Sequence, residues 1–250
     1  MPLKTIIVED EPLSRAFLSN IVKEFFPEIE VVAHEATVAG AVAAIKQLQP
    51  DLIFLDIELQ TGTGFEVLQQ TRNLPFKVIF TTALDHLAIN MIRLCGVDYL
   101  QKPIDVSGLR AVLEQVLQRD RDAACLALDH LMMALENGNK PLHVFLSVAE
   151  HKSYVAIADI VSMEADGART CFSLRSGKTM TAAGTLKDFE LLLGEHQFFR
   201  AHQHLLVNLD EIKECLSDPE HMLLMSDGSR LPLSPKKVTA LERALDKDFR

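Results

Sequence analysis

Five times in the first 120 residues a short apolar run gives way to a segment of helical spacing, and this alternation constrains the fold more than any other feature. The apolar runs lie at 5–8, 31–33, 52–55, 77–81 and 98–100; the helical segments lie at 14–24, 38–48, 64–71, 86–94 and 107–117. Repeated βα units predict a doubly wound five-stranded parallel sheet with helices on both faces, because each crossover must carry the chain back to the same end of the sheet. Strand twist makes these crossovers right-handed. Helical spacing returns at 121–137, where Leu126, Leu131, Met132 and Leu135 recur. This segment reads as a connecting helix with one apolar face, stopped by Gly138 and Pro141.

Beyond His143 the apolar pattern has period two. HVFLSV, SYVAIA, IVSMEA, TCFSLR and KTMTAA are strand candidates separated by turns such as Asp166-Gly167 and Ser176-Gly177. Residues 186–193 read as a helix, and LLVN, IKECL, HMLLM and RLPLS as further strands. The expected organisation is therefore an α/β domain at 1–120, a helical linker at 121–140 and a mostly β domain at 141–250. A 250-residue chain that is 48% hydrophobic can build two such cores.

Net charge is −10, so nonspecific attraction to nucleic acid is not built in. No run approaches the ~18 apolar residues of a membrane span. The opening MPLKTIIVEDE turns acidic too soon for a signal peptide, so a cytoplasmic location is expected. Cys95, Cys125, Cys171 and Cys215 lack CxxC spacing and read as free thiols.

The strand LIFLDIE ends on a carboxylate, Asp56, and IIVED ends on two, Glu9 and Asp10. Open parallel sheets bind ligands outside the carboxyl ends of their strands. If the first and third strands are neighbours, three carboxylates converge there, and their repulsion is relieved by a cation. Mg²⁺ fits such oxygen donors. Thr82 ends the fourth strand with a hydroxyl, and Lys102 ends the fifth with a positive charge, followed by Pro103. A carboxylate nucleophile, a divalent metal, a hydroxyl and an ammonium together form a phosphoryl-transfer site. Asp56 follows a full strand and precedes a loop, which marks it as the nucleophile.

On these residues the segment 1–120 resembles a response-regulator receiver domain. The resemblance makes Glu9 and Asp10 the acidic pair, Asp56 the phospho-acceptor, Thr82 the switch hydroxyl, Tyr99 the rotating aromatic and Lys102 the lysine of the KP step. It also implies a metal contact from the backbone carbonyl of Glu58. Gln60 stands where the family often has proline. A haloacid-dehalogenase-type phosphohydrolase fits less well, since DIELQ lacks that family's DxDx[TV] pattern.

The second domain resembles the LytTR DNA-binding domain through DIVSMEADG, TLKDFELLL, DGSRLPLSPKK and above all FFRAHQHLLVNLDEI. The last carries Phe199, Arg200, His202, Leu206, Val207, Asn208 and Ile212 of the family motif. The resemblance implies DNA contact through loops, at Arg169, Gln203 and Lys236, with Lys237 and His202 beside them. Arg and Gln can read base edges bidentately, whereas Lys suits phosphate or guanine. Gln203 replaces a usual basic residue, and Pro235 another. Residues 141–250 carry 13 Lys and Arg against 16 Asp and Glu, so phosphate neutralisation is weak for one domain. Arg200 reads as a structural residue, and His202-x-His204 lacks the acid or cysteine that would complete a metal set.

Together the two resemblances imply a two-component regulator, not a turnover enzyme. A sensor histidine kinase would phosphorylate Asp56, and a face formed by 84–94, 97–101 and 106–118 would then favour a homodimer on double-stranded promoter DNA. The alternative is a phosphorylation-controlled regulator whose acidic β domain binds a protein.

Overall fold

The computed structural model describes residues 2–72, 74–83, 86–138, 140–148, 151–194, 196–216 and 221–247, with only the backbone course of 86–88, 151–152 and 246–247. Residues 84–85 of the expected pairing face lie outside the described residues. The chain divides into two compact units, 1–139 and 140–250.

The first unit runs β1 (Leu3–Val8), α1 (Pro12–Phe25), β2 (Ile29–Glu35), α2 (Val38–Leu48), β3 (Leu52–Asp56), the two-residue strands β4 (Glu58–Leu59) and β5 (Gly62–Thr63), α3 (Gly64–Thr71), β6 (Lys77–Thr82), α4 (His86–Leu94), β7 (Asp98–Gln101), α5 (Val106–Gln118) and α6 (Arg121–Glu136). The expected five-stranded parallel sheet is present, in the order β2-β1-β3-β6-β7. The strand order reverses between β1 and β3, which opens a crevice above their carboxyl ends. Central strands buried on both faces need continuous apolar runs. Accordingly Ile6–Val8 and Leu52–Leu55 are almost fully buried. Ile7, Phe54 and Ile79 meet Leu18, Val22, Leu109 and Leu113 of α1 and α5 on one face. Each such side chain contributes roughly 1.5–3 kcal/mol on burial.

Helix starts follow local chemistry. Pro12 opens α1, where its missing N–H costs nothing. Thr37 caps α2 through Gly40 N, and Thr63 with Glu66 forms a reciprocal capping box on α3. The end of α5 is capped from outside, since Lys77 Nζ donates to Val116 O at 2.8 Å and Arg119 O at 2.7 Å. Arg119 itself pairs with Asp98 at 2.9 Å, both nearly buried, and donates to Gly96 O.

The helix expected to connect the domains, α6, belongs to the first unit. It meets β6 and α4. Ala124, Ala127 and Leu128 line a crevice with Val78, Val97 and Asp98. Cys125 and Met132 face Leu68, Thr71 and Phe76 across a cavity of about 60 Å³. Arg72, just past α3, pairs with Glu136 at 3.0 Å and Asp129 at 3.7 Å, and Arg121 pairs with Asp51 at 3.3 Å.

The second unit is mostly β, as expected. It contains β8 (His143–Val148), β9 (His151–Ala156), β10 (Ile160–Asp166), β11 (Arg169–Leu174), β12 (Thr179–Ala183), α7 (Leu186–Leu192), β13 (Phe198–His202), β14 (Leu205–Asn208), β15 (Ile212–Leu216), β16 (Met222–Met225), β17 (Arg230–Pro232) and α8 (Val238–Lys247). An antiparallel sheet β12-β11-β10-β14-β13 is accompanied by the sheet β15-β16-β17 and the pair β8-β9. Val161, Ala201, Val207, Leu223, Met225 and Leu241 share one core. Phe172 and Phe189 meet edge to face at 4.9 Å and fix α7 to the sheet.

Candidate functional site

The crevice above β1 and β3 collects the acids that the strand ends carry. One oxygen each of Glu9, Asp10 and Asp56 lies within 4.8 Å of the others. Glu9 N donates to Glu35 O at 2.9 Å, and an Arg15 Nη1 donates to Glu9 O at 2.5 Å, so the acidic turn is fixed from two sides. Glu58 N donates to Asp56 Oδ1 at 3.2 Å, which orients the carboxylate. Lys102 N donates to Thr82 O at 2.8 Å, and the Lys102–Pro103 peptide is cis. The Lys102 ammonium lies 2.6 Å from Glu9 Oε2 and 2.6 Å from Asp56 Oδ2.

Electrostatics reflect the crowding. Burial, joined by the charge of Asp56, raises the Glu9 carboxyl above its usual value despite the hydrogen bond from Lys102. Burial works to lower Lys102, but hydrogen bonds to Asp56 and Glu9, then their charges, outweigh it and hold the ammonium above its usual value. Thr82 is buried at the end of β6. Tyr99 is half-buried in β7, in register with Phe80, while Thr82 is in register with Gln101. The fold thus brings Glu9, Asp10, Asp56 and Lys102 together, and puts Thr82 and Tyr99 on the two neighbouring strands.

In the second unit the expected contact residues sit on three loops. Arg169 opens β11 after the Asp166-Gly167 turn, where Gly167 has φ +59. Gln203 lies in the turn from β13 to β14, exposed, with half-buried His202 before it; the His202 and His204 rings are 5.8 Å apart. Lys236 and Lys237 lie in the exposed 3-10 turn after β17, with Lys237 Nζ 6.0 Å from the centre of the Phe199 ring. The loops are joined through their backbones. Ala165 N donates to His204 O at 3.0 Å, and Ser234 N donates to Ala201 O at 2.9 Å. The Gln203 turn is thereby tied to the other two. Asn208 is buried and donates to Ile160 O at 2.9 Å, a structural role.

Comparison with known families matches residues 5–114 to the response regulator receiver domain and residues 151–246 to the LytTr DNA-binding domain. The chain is a response regulator of receiver–LytTR type. The sensory transduction protein LytT of Bacillus subtilis (strain 168) is 27% identical over 97% of this chain and 99% of the relative. The transcriptional regulatory protein BtsR of Salmonella typhi is 27% identical over the same shares. A solved LytTr DNA-binding domain from Bacillus cereus is 27% identical, with a TM-score of 0.37, over 41% of this chain and 95% of that structure.

Two features of this receiver–LytTR chain escaped the sequence reading. A Cβ at Gly64 would sit 2.3 Å from the backbone oxygen of Asp56, so only glycine lets α3 approach the end of β3 this closely. The lone signal was a glycine at a helix start. In the LytTR domain, Arg200 is tied to Glu190 of α7. That contact joins a helix to a strand and leaves no local pattern. Among the described residues, no helix of the receiver or the LytTR domain is long and apolar enough to cross a membrane.

Proposed function

We propose that Asp56 accepts a phosphoryl group from a sensor histidine kinase and that this modification controls binding of the LytTR domain to double-stranded promoter DNA. The observation that carries the reading is Lys102 Nζ, 2.6 Å from both Glu9 and Asp56 beside a three-carboxylate cluster. In the transfer, an Asp56 oxygen attacks the phosphorus of phosphohistidine. The P–O bond forms, the P–N bond breaks, and the electron pair leaves with the imidazole nitrogen, which takes up a proton. Lys102 offsets charge on the phosphoryl oxygens. The donors Glu9, Asp10 and Asp56 are hard oxygens crowded within 4.8 Å of one another, and Mg²⁺ fits them, with the Glu58 carbonyl as a fourth donor. When bound, the metal supplies further neutralisation of phosphoryl charge.

The acyl phosphate carries about −1.5 to −2 charge in place of the single negative charge of the Asp56 carboxylate. Thr82 and Tyr99 respond on adjacent strands, and α4, which follows β6 and touches α6, carries the change to the end of the receiver. Dimerisation through the receiver and a cytoplasmic location complete the reading. The relatives' names in sensory transduction and transcriptional regulation support it.

The test is phosphorylation by a small phosphodonor with Mg²⁺. Asp56→Asn is expected to abolish acid-labile phosphate; retention of the label would refute the assignment. Lys102→Ala is expected to keep metal binding and lose uptake or switching. The acidity of 141–250 favours a second reading, a protein ligand for that domain. A steep fall of DNA affinity with salt distinguishes the two.

A further inference from the structure

Arg200 carries the Gln203 turn. Its Nε donates to His202 O at 3.0 Å, and one terminal nitrogen donates to Gln203 O. The other terminal nitrogen pairs with Glu190 Oε2 at 2.7 Å. All three guanidinium nitrogens are thus engaged within the domain, and the side chain is only 22% exposed. The β13–β14 ladder shifts register between Arg200 and His202, so the strand bends where the turn begins. A planar fork that spans the two consecutive carbonyls of His202 and Gln203 fixes the turn there. Glu190 fixes the fork from α7.

We propose that Arg200 and Glu190 are positioning residues for sequence reading by Gln203. The guanidinium sets the direction of the turn, and the turn sets the angle at which the Gln203 amide enters the DNA groove. A bidentate amide–base pair is worth about 1–3 kcal/mol of discrimination, and only when both hydrogen bonds are in line. The role differs from a phosphate contact, which would need at least one guanidinium edge turned outward. This inference rests on DNA being the ligand of the LytTR domain.

The test uses the full chain and two duplexes of equal length. One is selected from a random pool by the wild-type protein, and the other is unselected random sequence. Arg200→Lys keeps the charge and loses the fork. It is expected to lower the selected-to-random affinity ratio about tenfold, as Gln203→Ala does. Added to Gln203→Ala, it is expected to change the ratio little, because the two act through one contact. Glu190→Gln, which leaves the turn's own two hydrogen bonds in place, gives a smaller loss in the same direction. Random-duplex affinity and its salt slope stay at wild-type values, also for Arg200→Met, and thermal melting confirms that the domain is folded. A salt slope that falls by about one in Arg200→Met identifies a phosphate contact and overturns the proposal. So does an unchanged ratio in both Arg200→Lys and Glu190→Gln while Gln203→Ala lowers it. A wild-type chain that selects no duplex at all overturns the DNA reading and this inference together.

Discussion

Gly64 shows how tightly Asp56, the proposed phospho-acceptor, is packed. Replacing its hydrogen by a methyl group puts carbon 2.3 Å from the Asp56 carbonyl oxygen, and the atom that must give way is backbone. Gly64→Ala is expected to cost about 1–3 kcal/mol and to slow phosphoryl uptake, because the strand end that carries the nucleophile has to move. Thermal unfolding and the rate of acid-labile phosphate formation check both effects; wild-type values for both would mean that α3 yields instead. Cys95 is the opposite case, a chemically silent residue. Burial pushes its thiol up to about 12, so at pH 8 it is expected to be the last of the four cysteines to react with an alkylating agent. The acids and Lys102 were legible because they end apolar runs, and the fold places strand ends together. The structural role of Arg200 was legible too, but its partner Glu190 and the close approach of Gly64 to Asp56 were not, since both depend on how a helix packs against a strand.

At the scale of elements, the helices and central strands could be read from periodicity, while two features resisted. β2 read as three residues because Ile29–Glu35 is an edge strand, mostly half-exposed, with Glu30 and the pair His34-Glu35 flanking its apolar centre. α6 was visible as a helix, but its contact with the receiver was not. Its buried stripe is built largely from Ala124, Ala127 and Ala134, which carry little hydrophobic signal, and its ion pairs reach Arg72 and Asp51. Docked this way, the amides of 121–136 are expected to exchange deuterium about as slowly as those of α5; free-helix rates would show that α6 leaves the receiver. The α5 end depends on Arg119 as well. Arg119→Ala would leave the nearly buried Asp98 with its hydrogen bond from Gln115 but without this countercharge, and a loss of about 3 kcal/mol is expected in the denaturant unfolding of the receiver transition. In the LytTR domain, Glu211 follows β14, is buried, and binds Arg175 and Ser226, joining the two larger sheets. Burial works to raise its carboxyl, but the hydrogen bonds from Arg175 and Ser226 prevail and hold it below the usual 4.5. A depressed carboxylate stabilises the fold above its unfolded value, and that contribution is lost as pH falls through the folded one. Acid unfolding of this domain below pH ~4.5 is therefore expected to be shallower in Glu211→Gln, as melting temperature against pH will show.

For the whole molecule, the governing quantity is charge. A LytTR domain with 13 basic and 16 acidic residues approaches a polyanion with no net electrostatic pull, so on the proposed reading its affinity comes from the loops around Gln203 and from a second copy. Two linked domains on two adjacent repeats convert the second binding step into an intramolecular one, which can raise overall affinity by about 10²–10⁴ without any new contact. Phosphorylation of the receiver needs to do no more than pair two chains to produce that gain. Activation with a beryllofluoride phosphate mimic is accordingly expected to tighten binding to a two-repeat duplex by at least about tenfold, toward that range. Binding to a one-repeat duplex is expected to change little, and sedimentation of the free protein to shift toward a dimer. Equal tightening on both duplexes, with no change in sedimentation, would mean that phosphorylation acts on the DNA-binding surface of a single chain. The direction of regulation would then run through the receiver's own α4 and α6 and not through pairing.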